Sequence, residues 1–182
     1  YERDGNITKE QYGDGSEVTY VYGLTGEITK NLPTEIIKTY KRDDSSKEEK
    51  LAHVVLTYDE KGNVLSLYDK IENDEIKFVY DNAGNITSQT STKEGNEDTK
   101  VKAAYDKSGN VVTEEVTSGS VNTKMNYTYD SMGRVRTERD KDGNFTLHEY
   151  DSFGRKIQVT EKYGNKELVT KKSYDKNGNL TK

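Results

Sequence analysis

The sequence contains no cysteine and no tryptophan, and Pro33 is its only proline. Without cysteine it has no disulfide, no thiol nucleophile and no zinc-thiolate site. No apolar run approaches the roughly 20 residues of a transmembrane helix. The 28 basic and 33 acidic residues are interspersed and leave a net charge of −5, without the basic stripe typical of nucleic-acid-binding proteins. We therefore expect neither nucleic-acid binding nor membrane insertion.

Apolar residues are scarce, because hydrophobic types make up 30% of the 182 residues and the mean hydropathy is −1.07. Disorder usually combines such scarcity with a large net charge, whereas here the charges nearly balance. The sequence also contains 14 tyrosines and 15 glycines. This composition predicts a thin, sheet-like protein with much solvated surface rather than a globule with a large core.

A short phrase, Tyr-Asp-x-x-Gly followed by Asn or Arg, recurs along the chain. Two degenerate copies begin at Tyr1 and Tyr22, and from Tyr58 onward the steps between repeat tyrosines are 22, 25, 24, 21 and 24 residues. Such even spacing indicates a repeat protein. The intact copies contribute these residues, for which we predict a structural role: Tyr58, Asp59, Gly62; Tyr80, Asp81, Gly84; Tyr105, Asp106, Gly109; Tyr129, Asp130, Gly133; Tyr150, Asp151, Gly154; and Tyr174, Asp175, Gly178.

A second turn signal lies near the middle of each period, for example Asn73-Asp74, Asp142-Gly143-Asn144 and Tyr163-Gly164-Asn165. Glycine and asparagine accept a positive φ cheaply, so these pairs between β-prone runs predict hairpin turns. Each period then reads strand, turn, strand, turn. The sequence predicts an all-β array of about seven to eight consecutive antiparallel hairpins in a single domain over residues 1–182.

Residues 27–57 break this period. We interpret residues 35–42 and 48–58 as one longer hairpin with a solvated tip around residues 43–46, preceded by an irregular link at residues 31–33.

The residues two and four positions before each repeat tyrosine are mostly apolar, such as Phe78 and Ile76 before Tyr80, whereas those between them are mostly polar. Because side chains alternate along a strand, the repeat tyrosine shares the apolar face. One apolar and one wet face indicate an antiparallel sheet that something covers. Either the sheet curls on itself or neighbouring sequence of a longer protein encloses it.

These motifs resemble those of the YD-repeat, or rearrangement-hotspot (Rhs), family. The unit from Gly133-Arg134-Val135 to Tyr150-Asp151-Ser152-Phe153-Gly154-Arg155 is similar to the family consensus, and the resemblance covers nearly the whole chain, weakening between residues 27 and 57. It implies stacked hairpins in a curved, spiralling sheet, part of a hollow β-shell. Such shells enclose cargo in bacterial toxins and serve adhesion in animal teneurins. The family's self-cleaving, shell-closing region and a toxin domain have no match here.

Three features invite a chemical interpretation, and we favour a plain structural one for each. Residues 138–149 match the acid spacing of an EF-hand calcium loop, but the stretch lies within one repeat and its Asp-Gly falls where other units turn. His53 and His148 are the only histidines and have no nucleophile motif beside them. Each Tyr-Asp pair recurs in every unit, whereas a catalytic group is needed once. We predict no catalytic, cofactor-binding or metal-binding residue.

The sequence thus predicts a non-enzymatic structural module, an arc of YD-repeat shell from a larger secreted or cell-surface bacterial protein. Its expected partners are flanking repeats or domains of that protein. The alternative is a carbohydrate-binding or adhesion module, in which exposed tyrosines of the sheet stack on sugar rings. Glycan binding would distinguish the two hypotheses.

Overall fold

The computed structural model describes residues 5–41 and 48–181, and it is all-β apart from a single 3₁₀ turn at Thr29–Asn31. The chain divides into two compact units, residues 1–100 and 101–182. The strands in the described residues are β1 Lys9–Gln11, β2 Ser16–Val21, β3 Glu35–Lys41, β4 Glu48–Tyr58, β5 Val64–Asp69, β6 Asp74–Tyr80, β7 Ile86–Lys93, β8 Thr99–Tyr105, β9 Val111–Ser118, β10 Val121–Tyr129, β11 Val135–Asp140, β12 Phe145–Tyr150, β13 Lys156–Tyr163 and β14 Lys166–Lys171.

Within each unit, strands that follow one another in sequence are neighbours in the sheet. In the first unit, Leu56 of β4 lies opposite Leu67 of β5, which in turn lies opposite Ile76 of β6, all in antiparallel register. In the second unit, β10 to β14 pair in the same antiparallel way. The predicted all-β array of consecutive antiparallel hairpins is confirmed.

In four hairpins the strand that follows the Tyr-Asp-x-x-Gly turn has a β-bulge at its second residue. In the β4–β5 hairpin, Thr57 pairs with Ser66 but Tyr58 pairs with Val64, so Leu65 is an extra residue. The β6–β7, β10–β11 and β12–β13 hairpins shift register at the same place. The extra residue of a bulge interrupts the alternation of side chains between the two faces and increases the local right-handed twist.

The face that bears the repeat tyrosines is the less exposed one, as the alternation predicts. In β6, Ile76, Phe78 and Tyr80 are half-buried, whereas Lys77 and Val79 between them are exposed. Among the described residues no apolar side chain is fully buried, and the buried residues are polar: Ser16, Thr29, His148 and Thr160. The described residues therefore form no large apolar core, in agreement with the scarcity of apolar residues in the sequence.

Two local predictions need correction. Asn73 has a positive φ, but Asp74 is already the first residue of β6, so the turn consists of residues 70–73 rather than Asn73-Asp74. The degenerate copy at Tyr22 forms no hairpin: residues 22–26 are irregular and lead into the 3₁₀ turn.

The longer hairpin predicted in the irregular region is present as β3 and β4, which pair from Glu35 with Val55 to Lys41 with Glu48. Its predicted solvated tip at residues 43–46 lies outside the described residues. No helix in the described ranges has the length and hydrophobicity needed to cross a membrane.

Candidate functional site

The geometry that recurs along the chain is centred on the turn aspartate. In the turn after β4, Asp59 Oδ1 accepts hydrogen bonds from the backbone N–H groups of Lys61 (2.9 Å) and Asn63 (2.8 Å), and its Oδ2 accepts one from Asn63 Nδ2 (2.8 Å). The backbone closes the loop through Gly62 N–H to the Asp59 carbonyl (3.1 Å), with Gly62 at φ 87°. A residue with a Cβ would be strained at that φ, which explains the glycine.

The same three bonds to the carboxylate recur at the other turns with asparagine, which involve Asp81, Asp106 and Asp175. The side-chain hydrogen bond from Asn63 lowers the pKa of Asp59, and the backbone bonds of the turn lower it further. The pKa values of the other three aspartates are lowered by the equivalent asparagine. Because these hydrogen bonds favour the ionised form, the turns are built around carboxylates.

Two turns of the second unit replace asparagine by arginine. Arg134 Nε donates to Asp130 Oδ2 (2.6 Å), and Arg155 Nε donates to Asp151 Oδ2 (2.7 Å). Desolvation opposes ionisation of both aspartates, but hydrogen bonds from the backbone and side chain of the arginine outweigh it and lower the pKa of each carboxyl.

Each of these arginines also stacks on the tyrosine of the next repeat. The Arg134 guanidinium carbon lies 4.4 Å from the ring centroid of Tyr150, and that of Arg155 lies 4.7 Å from the centroid of Tyr174. Arginine therefore closes its own turn and makes a cation–π contact with the following repeat.

The repeat tyrosine joins each repeat to the preceding repeat through its hydroxyl. The Tyr80 hydroxyl donates to the main-chain carbonyl of Val64 (2.8 Å), two residues after the glycine of the preceding turn. We call this hydrogen bond the tyrosine clasp. It recurs from Tyr22 to Ile7, from Tyr129 to Val111, from Tyr150 to Val135 and from Tyr174 to Lys156, at 2.7–2.9 Å.

The clasp gives the tyrosine hydroxyl a role that phenylalanine could not fill. The ladder between β5 and β6 runs only from Ser66 opposite Lys77 to Asp69 opposite Asp74, so it ends before the Val64 carbonyl. An unpaired carbonyl in a partly buried place is costly, and the hydroxyl supplies its donor. Burial raises the pKa of Tyr80, as it does for Tyr58, Tyr129 and Tyr150, so the hydroxyl keeps its proton.

In the irregular region the clasp survives although the repeat is lost. The Tyr58 hydroxyl donates to the Pro33 carbonyl (2.8 Å). A Cβ added at Gly62 would lie 3.3 Å from side-chain atoms of Ile28 and Leu32, so this part of the irregular segment packs directly against the turn. The irregular segment thus supplies the clasp carbonyl for Tyr58, as the preceding repeat does for the other tyrosines that make a clasp.

Sequence reasoning placed the tyrosine, aspartate and glycine at the six intact Tyr-Asp-x-x-Gly turns but missed two kinds of partner and one turn. The asparagine or arginine after the glycine completes the carboxylate contacts, and the clasp carbonyl lies in the preceding repeat. Asp140 forms a further turn of this kind in mid-repeat, accepting from Asp142 N–H, Asn144 N–H and Asn144 Nδ2 at 2.7–2.9 Å. The Asp-x-x-Gly-Asn spacing at residues 140–144 was the available signal.

The acidic residues of the EF-hand-like stretch are engaged elsewhere or diverge. Glu138 Oε1 contacts His148 Nε2 at 2.7 Å, and Asp140 holds its turn. Glu149 follows His148 in β12 and therefore points to the opposite face. Within the described ranges no group of three or more histidine, cysteine or acidic side chains is arranged to hold a metal ion.

The two histidines are in separate units, and each contacts a glutamate. His53 Nε2 lies 2.8 Å from Glu35 Oε2, and His148 is 7% exposed beside Glu138. The hydrogen bond with His53 lowers the pKa of Glu35. In the described part of the chain, neither histidine has a serine hydroxyl hydrogen-bonded to it. The repeated geometry serves to hold turns closed and adjacent repeats together.

A family model described as the teneurin YD-shell matches residues 16–182. The chain belongs to the teneurin YD-shell family. No protein with a curated description matches its sequence.

Solved structures share the fold of this YD-shell chain at low sequence identity. The Tc holotoxin pore of Photorhabdus luminescens, with a mutant TccC3, aligns over 96% of the chain at a TM-score of 0.52 and 15% identity. A complex of TcdB2 with TccC3 lacking its hypervariable C-terminal region aligns over 93% at 0.50 and 14%. The chain spans 11% of the length of each of these chains. It is thus a YD-shell module with a shell-like structural fold.

Proposed function

We propose that this chain is a non-enzymatic arc of YD-repeat shell, which encloses or scaffolds other domains of a larger secreted or cell-surface bacterial protein. The observation that carries the proposal is the tyrosine clasp, because the hydroxyl of the most specific residue of the repeat donates to the main chain of the neighbouring repeat. Flanking repeats or domains of the parent protein are the partners. The length of the solved chains that share the fold supports this, since this chain spans 11% of each of them.

The proposed structural role of the repeat residues rests on their contacts. The turn carboxylates receive two backbone donors and one side-chain donor each, which leaves little capacity for substrate. The array transmits stability from one hairpin to the next, as in other repeat proteins whose units contact mainly their neighbours. We also propose that the array forms a single domain over residues 1–182.

Carbohydrate binding is not proposed as a second function. The hypothesis needs tyrosine hydroxyls that can bond to sugar, and those of Tyr80, Tyr129 and Tyr150 donate to main-chain carbonyls. Their rings lie on the less exposed face of the sheet. Binding to a glycan array that is lost in Tyr129→Ala would restore this alternative.

The test of enclosure is protease protection of a reporter domain flanking the array in the parent protein. We expect the double variant Tyr129→Phe/Tyr150→Phe to expose the reporter and speed its cleavage. The matched control is Tyr127→Phe, because Tyr127 is half-buried on the same face but makes no clasp. A reporter that is cleaved equally fast with and without the array would contradict enclosure. Recovery of the parent protein only from the cell interior would contradict the proposed location.

A further inference from the structure

Two neighbouring turns of the second unit present large apolar side chains to solvent. Met132 is 69% exposed and Phe153 is 83% exposed. Each lies directly before the turn glycine. The backbone N–H of Met132 or Phe153 donates to the turn aspartate, and the side chain points outward. The other Tyr-Asp-x-x-Gly turns carry Lys61, Ala83, Ser108 and Asn177 at this position. The turn itself therefore does not require an apolar residue here.

The two side chains lie on the same edge of the second unit, which here means the side where its Tyr-Asp-x-x-Gly turns connect the strands. They belong to the β10–β11 and β12–β13 turns, which are separated by two strand spacings, or about 10 Å. Both protrude from turn tips and so form a convex pair, in which the Arg155 guanidinium carbon lies 5.2 Å from the centroid of the Phe153 ring. A convex pair suits insertion into a soft layer, because a protein partner would have to supply a matching pair of pockets.

Free cations stand beside both tips. Arg134 and Arg155 are paired with the turn aspartates, but Arg136 and Lys156, which follow the turns, make no ion pair in the described part of the chain. Glu149 lines the same surface pocket as Arg136, and it too makes no ion pair within residues 5–41 and 48–181. The second unit contains 15 basic and 12 acidic residues, a net charge of +3, whereas the first contains 13 and 21, a net charge of −8.

We propose that this edge of the second unit docks on an anionic lipid surface. Met132 and Phe153 enter the headgroup layer, and Arg136 and Lys156 lie near the lipid phosphates. Apolar tips with flanking basic residues gain both from burial and from attraction to anionic lipid. This is a surface contact and not the insertion of a transmembrane helix.

The test is cosedimentation of the chain with vesicles of phosphatidylcholine containing phosphatidylserine, and with vesicles of phosphatidylcholine alone. The chain should partition more strongly to the anionic vesicles, and less as salt increases. Met132→Ser/Phe153→Asn, which places residues found in sister turns at the tips, should weaken partitioning by roughly tenfold or more. Arg136→Gln/Lys156→Gln should weaken it by roughly tenfold, on anionic vesicles alone.

The matched control is Val121→Thr, which removes a 59% exposed apolar side chain from the opposite edge of the same unit and should leave partitioning unchanged. Circular dichroism and the melting temperature establish that each variant is folded. Two results would overturn the proposal: no partitioning of the wild-type chain to anionic vesicles, or equal partitioning of a folded tip variant. Tips that bind an acidic soluble protein but no vesicle would give the first of these results.

Discussion

Strands β4–β6 of the first unit and β11–β13 of the second build the same repeat with different side chains at the strand centres. In β4–β6 the half-buried face carries Leu56, Leu67 and Phe78. In β11–β13 the corresponding face carries Glu138 and His148, joined by a 2.7 Å contact. Both regions nevertheless keep the turn carboxylate and the tyrosine clasp. The repeat is therefore defined by contacts at its turns, and its strand centres are free to vary.

The arginine turns compensate for the more polar centres of β11–β13. Arg134 contacts Asp130 and stacks on Tyr150, so it joins two repeats where asparagine would close only one turn. One of its Nη atoms is buried without a hydrogen-bond partner. Cation–π stacking thus takes over some of the cohesion that apolar packing provides in β4–β6.

The largest expected difference between regions is in amide hydrogen exchange. β6 pairs with β5 and β7, whereas β14 pairs only with β13 among the described strands, and all six of its residues are exposed. Amides of Lys166–Lys171 should exchange at least about tenfold faster than those of Asp74–Tyr80. Equal protection would mean that the outer edge of β14 is covered in solution.

A second prediction compares the strand centres by truncation. Phe78→Ala should lower the free energy of unfolding by roughly 1–2 kcal/mol, because it removes a half-buried aromatic ring. His148→Ala should cost less, about 1 kcal/mol, since one ring nitrogen of His148 is already buried without a partner. Urea unfolding measures both. A larger loss for His148→Ala would show that the polar centre stabilises more than the apolar one.

A third prediction converts one type of turn into the other. Arg134→Asn keeps a donor for Asp130 but removes the stacking on Tyr150, and should cost about 0.5–1 kcal/mol. The same substitution at Arg136, which makes no ion pair in the described ranges, is the matched control and should be nearly neutral. Combining Arg134→Asn with Tyr150→Leu in a double-mutant cycle isolates the stacking. Strict additivity in this cycle would show that the contact does not stabilise the protein.

The smallest expected effect is on the pH dependence of stability. The pKa values of Asp59, Asp81 and Asp130 are lowered in the folded chain. Such groups stabilise the fold fully above the ordinary aspartate pKa and lose that contribution as the pH falls through the lowered value. Thermal unfolding in acid should therefore show stability falling, and Asp81→Asn should flatten the curve slightly. Stability that rises in the same range would contradict the hydrogen-bonded ionised turns.

Much of this architecture could be predicted from sequence, because its signals are local. Tyr-Asp-x-x-Gly marks the turns, and the alternation before Tyr80 identifies its face. The bulge at Leu65 could not be predicted, since it appears only when Thr57 and Tyr58 are aligned with β5. The clasp from Tyr80 to Val64 depends on the register between β5 and β6. The turn was placed wrongly at Asn73-Asp74 because both residue types favour turns. The start of β6 is instead set by the pairing of Asp74 with Asp69.

The most direct test of the account compares Tyr129→Phe with Tyr127→Phe. Both tyrosines lie on the same face of β10 and are half-buried, but only the Tyr129 hydroxyl makes a clasp, to Val111 at 2.7 Å. Loss of that hydrogen bond should cost about 1 kcal/mol and lower the melting temperature by about 2–4 °C, while Tyr127→Phe leaves it nearly unchanged. Equal melting temperatures for the two variants would contradict the claim that the tyrosine hydroxyl holds adjacent repeats together.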